Sequence, residues 1–418
     1  MTTAVQYQNR QEAGVLNALG FLFLPVAVLA TAQVWVLAVL GVLGILTVRA
    51  FHGRFALNTN KYLVLLVILF IGWAAATSLW AVNPNRAIGT TLRIALVCIS
   101  IVVLIDARNR LGKEQRRKFG YWLVGGTVTG FFLTGALILS SGDGSSWFGE
   151  SHLTGYVISD LNRTSSVIAL LVWPVAFVVA QLWNRLAAAA VIVLGALYLF
   201  LLAPSTPLVA FGAGLAAFVI ARFSNSLGKR FLLLLFAAAI VIVPFLGVLA
   251  PPLIDFLSTN LPFPQSEIHR LVIWQFAAER IYENPLFGWG LDAARAIPGG
   301  NEKLFLFMFN GAPETGQAMP LHPHNAMIQI WLELGLVGVA LVGAIFVLLV
   351  ASIPESQSDR AGPATLIATT ACAFTIAELG FGIWQGWWIA TLGIVAVISM
   401  TVVTPGAPAP NSIDADAA

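Results

Sequence analysis

The sequence is poor in charged residues. Only 10% of its 418 residues are Asp, Glu, Lys or Arg, whereas a soluble domain carries about 25%. Hydrophobic residues make up 58% of the chain, and apolar stretches of about 20 residues recur along it, as in proteins that cross a membrane repeatedly. The low charge therefore excludes an ordinary soluble domain. The net charge of +3 gives no reason to expect a nucleic-acid partner.

Cysteine is also scarce. The two cysteines, Cys98 and Cys372, both lie within apolar runs, so the sequence contains neither a disulfide framework nor a cysteine set spaced for a metal. The Gly-rich loop ending in Lys-Ser/Thr that cradles nucleotide phosphates is missing, as is the Gly-x-Ser-x-Gly elbow of serine hydrolases. Nucleotide hydrolysis is therefore not expected.

What the chain has instead is a series of long apolar segments. Their continuous apolar character favours helices over the alternating pattern of a membrane barrel, because a backbone in lipid must satisfy its own hydrogen bonds. We predict an all-α polytopic membrane protein with about 12 transmembrane helices. The predicted spans are residues 14–31, 33–49, 62–81, 88–106, 121–140, 166–183, 187–204, 207–222, 231–250, 325–351, 363–380 and 383–404.

The distribution of Lys and Arg predicts the orientation of these spans. With both termini in the cytoplasm, 15 of the 22 basic residues fall on the cytoplasmic side, as the positive-inside rule requires. The predicted organisation follows. Residues 1–250 form nine membrane helices, 251–324 a large periplasmic loop, 325–404 three further membrane helices and 405–418 a disordered cytoplasmic tail.

The large loop contains one segment with helical periodicity. Within residues 266–283, Ile268, Val272 and Phe276 recur at helical spacing. This pattern predicts an amphipathic helix lying at the membrane surface. We expect it to end before Pro285, since the residue preceding a proline is disfavoured in a helix.

Four arginines on the predicted outer side are candidates for binding phosphate: Arg86, Arg93, Arg163 and Arg270. A guanidinium pairs well with phosphate oxygens. Arg93 lies inside a predicted span, where an ionisable residue is a functional candidate by default, although its side chain could instead snorkel to the interface. For Arg163 and Arg270 the alternative is an ordinary loop charge.

His324 lies where this polar loop meets the tenth predicted span. We expect the helix to begin here, and the positive end of a helix favours a neutral imidazole, which is the form a general base needs. Capping or packing at the interface is the alternative. His322 and His324 could also form a metal pair, with His269 or Glu267 as distant ligands.

Asn325, Gln329 and Glu333 recur every four residues along the same predicted helix. This polar stripe must face protein or water rather than lipid. It either lines a cavity beneath His324 or makes hydrogen bonds between helices. Further along, Gly335 and Gly338 permit another helix to approach closely.

The segment His324-Asn325, nine residues, Gly335, two residues, Gly338 resembles the signature H-[NSQ]-x9-G-x2-[GTY] of the bacterial O-antigen ligase family. Further similarity to that family lies in Arg270-x3-Trp274, Pro285-Leu-x-Gly-x-Gly290, Ser78-Leu79-Trp80 before Asn83-Pro84, and Asn162-Arg163. The twelve spans with one large loop before the histidine span are also similar to the family architecture.

The resemblance implies transfer of a glycan from an undecaprenyl-pyrophosphate donor to a hydroxyl of lipid A-core. The reaction would take place at the periplasmic face of the bacterial inner membrane, without nucleotide, metal or other cofactor. The resemblance also implies that His324 is the catalytic base and that Arg163 and Arg270 bind the pyrophosphate. We add Arg86 and Arg93 to the binding set. We expect supporting roles for His322, Asn325, Gly335 and Gly338.

Two other functions remain open. An O-antigen or exopolysaccharide polymerase would use the same donor with a growing glycan as acceptor. A lipid-linked glycan transporter would be expected to show paired halves with broken helices near the middle of the membrane. The sequence contains no internal repeat, and its polar residues cluster at the predicted outer face, which favours an enzyme.

Overall fold

The computed structural model describes residues 2–53, 55, 57–142, 153–202, 205–260, 265–309, 312–356 and 359–403. Within them the chain forms fourteen α-helices and one antiparallel pair of strands. The helices before the large loop are α1 (Thr2–Leu29), α2 (Val34–His52), α3 (Lys61–Ala76), α4 (Pro84–Asn109), α5 (Lys113–Gly142), α6 (Leu153–Leu182), α7 (Arg185–Leu202), α8 (Ser205–Phe223), α9 (Asn225–Ile242) and α10 (Leu246–Asn260). They are followed by α11 (Gln265–Glu283), β1 (Lys303–Phe309), β2 (Ala312–Gln317), α12 (Ala326–Ser352), α13 (Ala361–Leu379) and α14 (Gly386–Val403). The predicted disordered tail lies outside the described residues.

The prediction of an all-α polytopic membrane protein is confirmed. In the described part of the chain, ten helical segments are long and apolar enough to cross a membrane. The two other predicted spans fall on α5 and on the shorter apolar helix α7. After the ninth predicted span the helix continues. A 3-10 turn at Val243–Phe245 joins α9 to α10, so that the apolar segment runs over Asn225–Leu257.

Two hydrophobic clusters hold the helices together. The larger cluster lies around α6, where Trp173 is 2% exposed, and includes Trp388 of α14, which is fully buried. The second cluster joins α3 and α4 to α11 and α12 through residues such as Phe70, Ile94 and Ile273. The second cluster therefore anchors the histidine-bearing segment.

Helix α11 forms where the periodicity predicts it, but its apolar face is covered by protein. Ile268 and Val272 are buried with Leu306 of β1, and Phe276 is buried in the second cluster. His269 contacts the carbonyl oxygen of Gln317 through its Nε2 at 2.8 Å, which ties α11 to β2. The expectation of a helix laid on the membrane surface by this apolar face is therefore wrong, because the strand pair and neighbouring helices bury that face.

Helix α12 is broken at Gly335. Its backbone there has φ 63° and ψ −165°, and the loop segment 285–290 lies against the break. The amide of Trp289 donates to the Leu332 oxygen and the amide of Leu336 donates to the Pro285 oxygen, each over 2.9 Å. The predicted span over 325–351 is present as Ala326–Ser352, with an interruption at Gly335 where six residues of the loop take over part of its hydrogen bonding.

Two glycines make this close approach possible. A Cβ on Gly335 would lie 2.4 Å from the Leu286 oxygen, and a Cβ on Gly288 would lie 2.5 Å from the Glu333 backbone. Both residues also have a positive φ, which favours glycine. Gly335 thus accommodates a loop segment, not the neighbouring helix that its sequence pattern suggested.

Candidate active site

The histidine segment lies between β2 and α12. His322 is only 8% exposed, and helix α12 begins at Ala326, with Asn325 as its N-cap. The Asn325 side-chain oxygen accepts a hydrogen bond from the amide of Ile328 over 2.8 Å. The helix therefore starts later than expected, and His324 lies just before the cap. Asn325 thus caps α12, and its supporting role in the reaction stays a prediction.

His324 is held by a backbone carbonyl. Its Nδ1 lies 2.9 Å from the oxygen of Gly380, at the end of α13. A carbonyl only accepts hydrogen bonds, so Nδ1 carries the proton and Nε2 keeps its lone pair. The backbone of His324 has φ 55°, a left-handed conformation that is uncommon outside glycine.

The environment of His324 keeps its ring neutral. Burial is the largest effect and lowers the pKa of His324. The hydrogen bond to Gly380 raises this pKa, and the positive charge of Arg270 lowers it. A neutral imidazole was expected from the positive end of α12. In the structure, burial of the ring is the largest cause of the lowered pKa. His324 itself lies just before the N-cap of α12.

His322 packs directly against His324. Their ring centroids are 4.2 Å apart, and the backbone amide of His324 donates to Nδ1 of His322 over 3.2 Å. Burial, together with the neighbouring His324 and Arg295, lowers the pKa of His322 to about 3. His322 is therefore neutral at physiological pH.

A cavity open to solvent adjoins His322, between α4, α12, the turn that carries Asp292 and Arg295, and the segment 382–385 that precedes α14. Most of its wall is polar. The lining residues are Thr90, Arg93, Asp292, Arg295, Leu321, His322, Gln329, Gly382, Trp384 and Gln385. The cavity is thus suited to a polar or anionic group.

Asp292 organises one side of the cavity. Its carboxylate accepts from Arg86 at 3.2 Å, from Arg295 at 3.4 Å and from the Thr90 hydroxyl at 3.1 Å. Arg86 is therefore fixed at the rim of the cavity, where it is paired with a carboxylate. Arg295 was not among the residues predicted from the sequence.

The other three predicted arginines lie around the same site. Arg93 lines the cavity, and its Cδ packs against the backbone of Gly386, the first residue of α14. Arg163 lies over the ring of Trp387 with its guanidinium carbon 5.7 Å from the centroid. Arg270 forms an ion pair with Glu267 over 3.0 Å and acts electrostatically on both histidines. Arg93 therefore shares the cavity with His322, Arg270 acts on both histidines, and Arg163 is connected to the site through Trp387.

The polar stripe on α12 forms an internal network. Glu333 is completely buried and accepts hydrogen bonds from Trp384 at 2.6 Å, from Gln329 at 3.0 Å and from the backbone amides of Asp292 and Ala294. Gln329 also lines the cavity. The two residues of the stripe have different surroundings, and the partners of Glu333 lie on α12 itself and in connecting segments rather than on another membrane helix. Glu333 fixes the turn that carries Asp292, while Gln329 reaches the cavity.

A third ligand for a metal pair is not found among the described residues, where no three His, Cys, Asp or Glu side chains are grouped to hold an ion. His269, the nearest candidate from the sequence, contacts a backbone carbonyl instead.

The fold and the site together define a multi-pass helical membrane protein with a histidine pair and an arginine-lined polar cavity. Residues 190–343 match the family model described as O-antigen ligase, a stretch that includes α11, the break in α12 and both histidines. The resemblance predicted from the signature is confirmed: over this stretch the chain is similar to the O-antigen ligase family.

Relatives along most of the chain agree with this assignment. A protein of Rickettsia bellii named "Putative polysaccharide ligase" is 28% identical over 344 residues, which cover 81% of this chain and 80% of the relative. Proteins named in the same way in Rickettsia conorii and Rickettsia felis are 25% and 24% identical over the same share of each chain. The similarity points to a ligase-type enzyme.

Proposed function

We propose that this protein is a membrane glycosyltransferase that moves a glycan from undecaprenyl-pyrophosphate to a hydroxyl of lipid A-core, without a metal. The observation that carries the proposal is the hydrogen bond from Nδ1 of His324 to Gly380. It leaves Nε2 as a base in a site rich in arginine. The similarity to the O-antigen ligase family supports the substrate class.

In this mechanism Nε2 of His324 takes the proton from the acceptor hydroxyl. The hydroxyl oxygen attacks the anomeric carbon of the donor sugar, and the bond from that carbon to the pyrophosphate oxygen breaks. The leaving oxygen keeps the electron pair, and the guanidinium groups of Arg163, Arg270 and Arg93 stabilise the developing charge. Arg86 contributes at the rim, through its pair with Asp292.

The proposal includes a location. The donor and the lipid acceptor are both held in a membrane, so the site must open near a membrane face. Charge distribution puts the histidine segment on the outer side. In a bacterium with lipopolysaccharide this is the periplasmic face of the inner membrane.

The break in α12 bears on the transporter alternative. Transporters use broken helices whose free backbone groups line a substrate cavity. Here the backbone groups at the break bond to the loop residues Pro285 and Trp289. The break therefore serves to attach the large loop, which favours an enzyme.

The test is transfer by purified protein in detergent, with lipid-linked glycan as donor and lipid A-core as acceptor. We expect His324→Ala to reduce transfer by about 10²–10⁴-fold, the usual contribution of a general base. The matched control is His52→Ala, since His52 lies at the far end of α2 and stacks on Tyr7. Wild-type rates from His324→Ala would refute the base. Elongation of free glycan without transfer to lipid A-core would identify a polymerase.

A further inference from the structure

The side-chain amide of Gln385 has a fixed orientation. Its Oε1 accepts a hydrogen bond from the indole Nε1 of Trp387 over 2.6 Å. An indole nitrogen only donates, so the oxygen must face Trp387. The NH₂ group of Gln385 therefore faces Nε2 of His322, at a distance of 3.4 Å.

The protonation of His322 is constrained from its other side. Its Nδ1 accepts from the backbone amide of His324 over 3.2 Å, so Nδ1 carries no proton. A neutral imidazole has one N–H, and in His322 that N–H must be on Nε2. Two donors, the Nε2–H of His322 and the NH₂ of Gln385, then face each other at the edge of the cavity.

Two facing donors repel unless both donate to one acceptor. In the opposite tautomer, the Nδ1–H of His322 would face the backbone N–H of His324. These two donors would meet inside the protein, where no substrate oxygen could accept from both. At the cavity edge an oxygen of a bound molecule can accept from both groups. Arg93 and Arg295 line the same cavity, so an anionic oxygen is the acceptor that fits best.

We propose that His322 and Gln385 form a neutral donor pair that binds a phosphoryl oxygen of the lipid pyrophosphate. This inference rests on the proposed function for the identity of the ligand. His322 then serves as a hydrogen-bond donor to the leaving group, while His324 serves as the base. The two adjacent histidines have opposite tautomers because each is fixed by a different backbone group.

The packing around His322 supports a fixed ring. A Cβ on Gly382 would lie 2.9 Å from both Cγ and Cδ2 of His322, so the absence of a side chain at Gly382 makes room for the imidazole. The ring also packs against that of His324, with the two ring planes inclined by 55°. A ring held in this way aims its Nε2 at the cavity, which a mobile side chain would not do.

The first test reads the tautomers directly, without any substrate. Protein labelled with ¹⁵N-histidine in detergent gives nitrogen resonances that distinguish a protonated from an unprotonated ring nitrogen. We expect the proton of His322 on Nε2 and that of His324 on Nδ1, with each signal assigned by its loss in His322→Gln or His324→Gln. A proton on Nδ1 of His322 would overturn the inference, since Gln385 would then simply donate to Nε2.

The second test measures binding of inorganic pyrophosphate to the purified protein by calorimetry. Gln385→Glu keeps the shape and the acceptor for Trp387 but replaces the donor by a carboxylate oxygen, so we expect binding to weaken by about tenfold or more. His322→Phe should weaken it to a similar extent. His322→Gln, which restores an N–H near the position of Nε2, should bind more tightly than His322→Phe.

Equal affinities of His322→Gln and His322→Phe would overturn the donor role, as would unchanged binding by Gln385→Glu. His52→Phe is the control and should bind like the wild type. Neither test depends on glycan transfer. If His324→Ala retained transfer while both tests gave the expected results, the proposed base would fail and the donor pair would stand.

Discussion

His324 combines two features that rarely occur together in one residue. Its left-handed backbone is unfavourable for a side chain with a Cβ, and its ring is held by a carbonyl that belongs to another helix. Unusual backbone conformations of this kind occur preferentially at functional sites, where the surroundings must hold them in place. The local geometry thus supports a chemical role for His324 independently of its place in the signature.

The first prediction concerns the pH dependence of transfer. Since burial and Arg270 lower the pKa of His324, the ring stays neutral, and competent as a base, at pH values below the ordinary histidine value of about 6.5. We expect kcat/KM to remain on its plateau at pH 6.5 and to fall only in more acidic solution. Steady-state rates between pH 4.5 and about 8 check this.

A variant makes the cause testable. Arg270→Gln removes one positive charge that disfavours the imidazolium form of His324. The acid limb of the kcat/KM profile should therefore move to higher pH. A loss of donor binding in this variant would lower the plateau as well. Arg280→Gln is the control, because Arg280 is paired with Glu283 on the same helix. An acid limb centred above pH 6.5 in the wild type would contradict the assignment.

Sequence reasoning could find His324, Arg93 and Arg270 because each has a local signal. His324 lies in a motif, Arg93 is a charge inside an apolar span, and Arg270 is a charge on a segment with helical periodicity. It could not find Arg295 or Gln385. Arg295 reaches the cavity from a single 3-10 turn, Ala293–Ala296, and Gln385 from the residue before α14. Neither short segment has a periodic pattern, and the side chains are directed by a pair with Asp292 and by a hydrogen bond from Trp387.

At the scale of elements, the contact between α12 and the segment 285–290 explains the glycine spacing of the signature. Helix α12 is predominantly apolar over its 27 residues, so its composition predicts a single membrane span without marking the break. The break at Gly335 depends on a segment about fifty positions earlier in the chain, and local sequence carries no information about that pairing. The strand pair β1–β2 was missed for a related reason, since both strands are short and lie inside a loop.

The second prediction tests this contact. Gly335→Ala adds a Cβ at 2.4 Å from the Leu286 oxygen, on a residue with positive φ. We expect a loss of stability of about 2–3 kcal/mol, the scale of strain and overpacking combined. It would be measured as a lower thermal midpoint of the purified protein in detergent, followed by intrinsic tryptophan fluorescence.

Gly212→Ala provides the matched control for Gly335→Ala. Gly212 lies inside α8, and a Cβ there meets nothing within 4 Å. Alanine is a better helix former than glycine, so the midpoint should stay the same or rise. A Gly335→Ala protein as stable as the Gly212→Ala protein would show that the break tolerates a side chain.

For the whole molecule, a buried ion cluster joins three helices at the predicted cytoplasmic end. Arg49 of α2 is 1% exposed and bonds to Glu12 of α1 at 3.1 Å and to Asp106 of α4 at 2.6 Å. Arg110 pairs with the same Asp106 oxygen at 3.0 Å. The two arginines balance the two carboxylates, so the cluster carries no net charge. It fixes α1, α2 and α4 at the end of the molecule opposite to the histidine site.

The third prediction follows from the burial of this cluster. Arg49→Met leaves two carboxylates buried without their shared partner, and removing one member of a buried ion cluster costs about 3–5 kcal/mol. We expect a large fall in folded yield and in thermal midpoint. Lys118→Ala breaks an exposed pair with Glu114 and should leave both quantities unchanged. Equal behaviour of the two variants would show that the buried cluster adds nothing to stability.

The fourth prediction concerns the orientation of the whole chain. In a background with Cys98 and Cys372 replaced by alanine, a cysteine at Asn301, in the turn before β1, should react with a membrane-impermeant maleimide added to intact cells. A cysteine at Lys118 should react only after the membrane is opened. The reverse pattern would place the large loop in the cytoplasm and would refute the proposed location of the site.

The break in α12 also has a consequence for how the protein is made. In lipid, unsatisfied backbone groups are costly, and the Leu332 oxygen and the Leu336 amide bond to the segment 285–290 instead of to α12 itself. That segment precedes α12 in the chain, so it has already been synthesised when α12 enters the membrane. We therefore expect α12 to reach its final structure only when the segment 285–290 has folded back onto it, so that assembly of the membrane helices depends on folding of the loop.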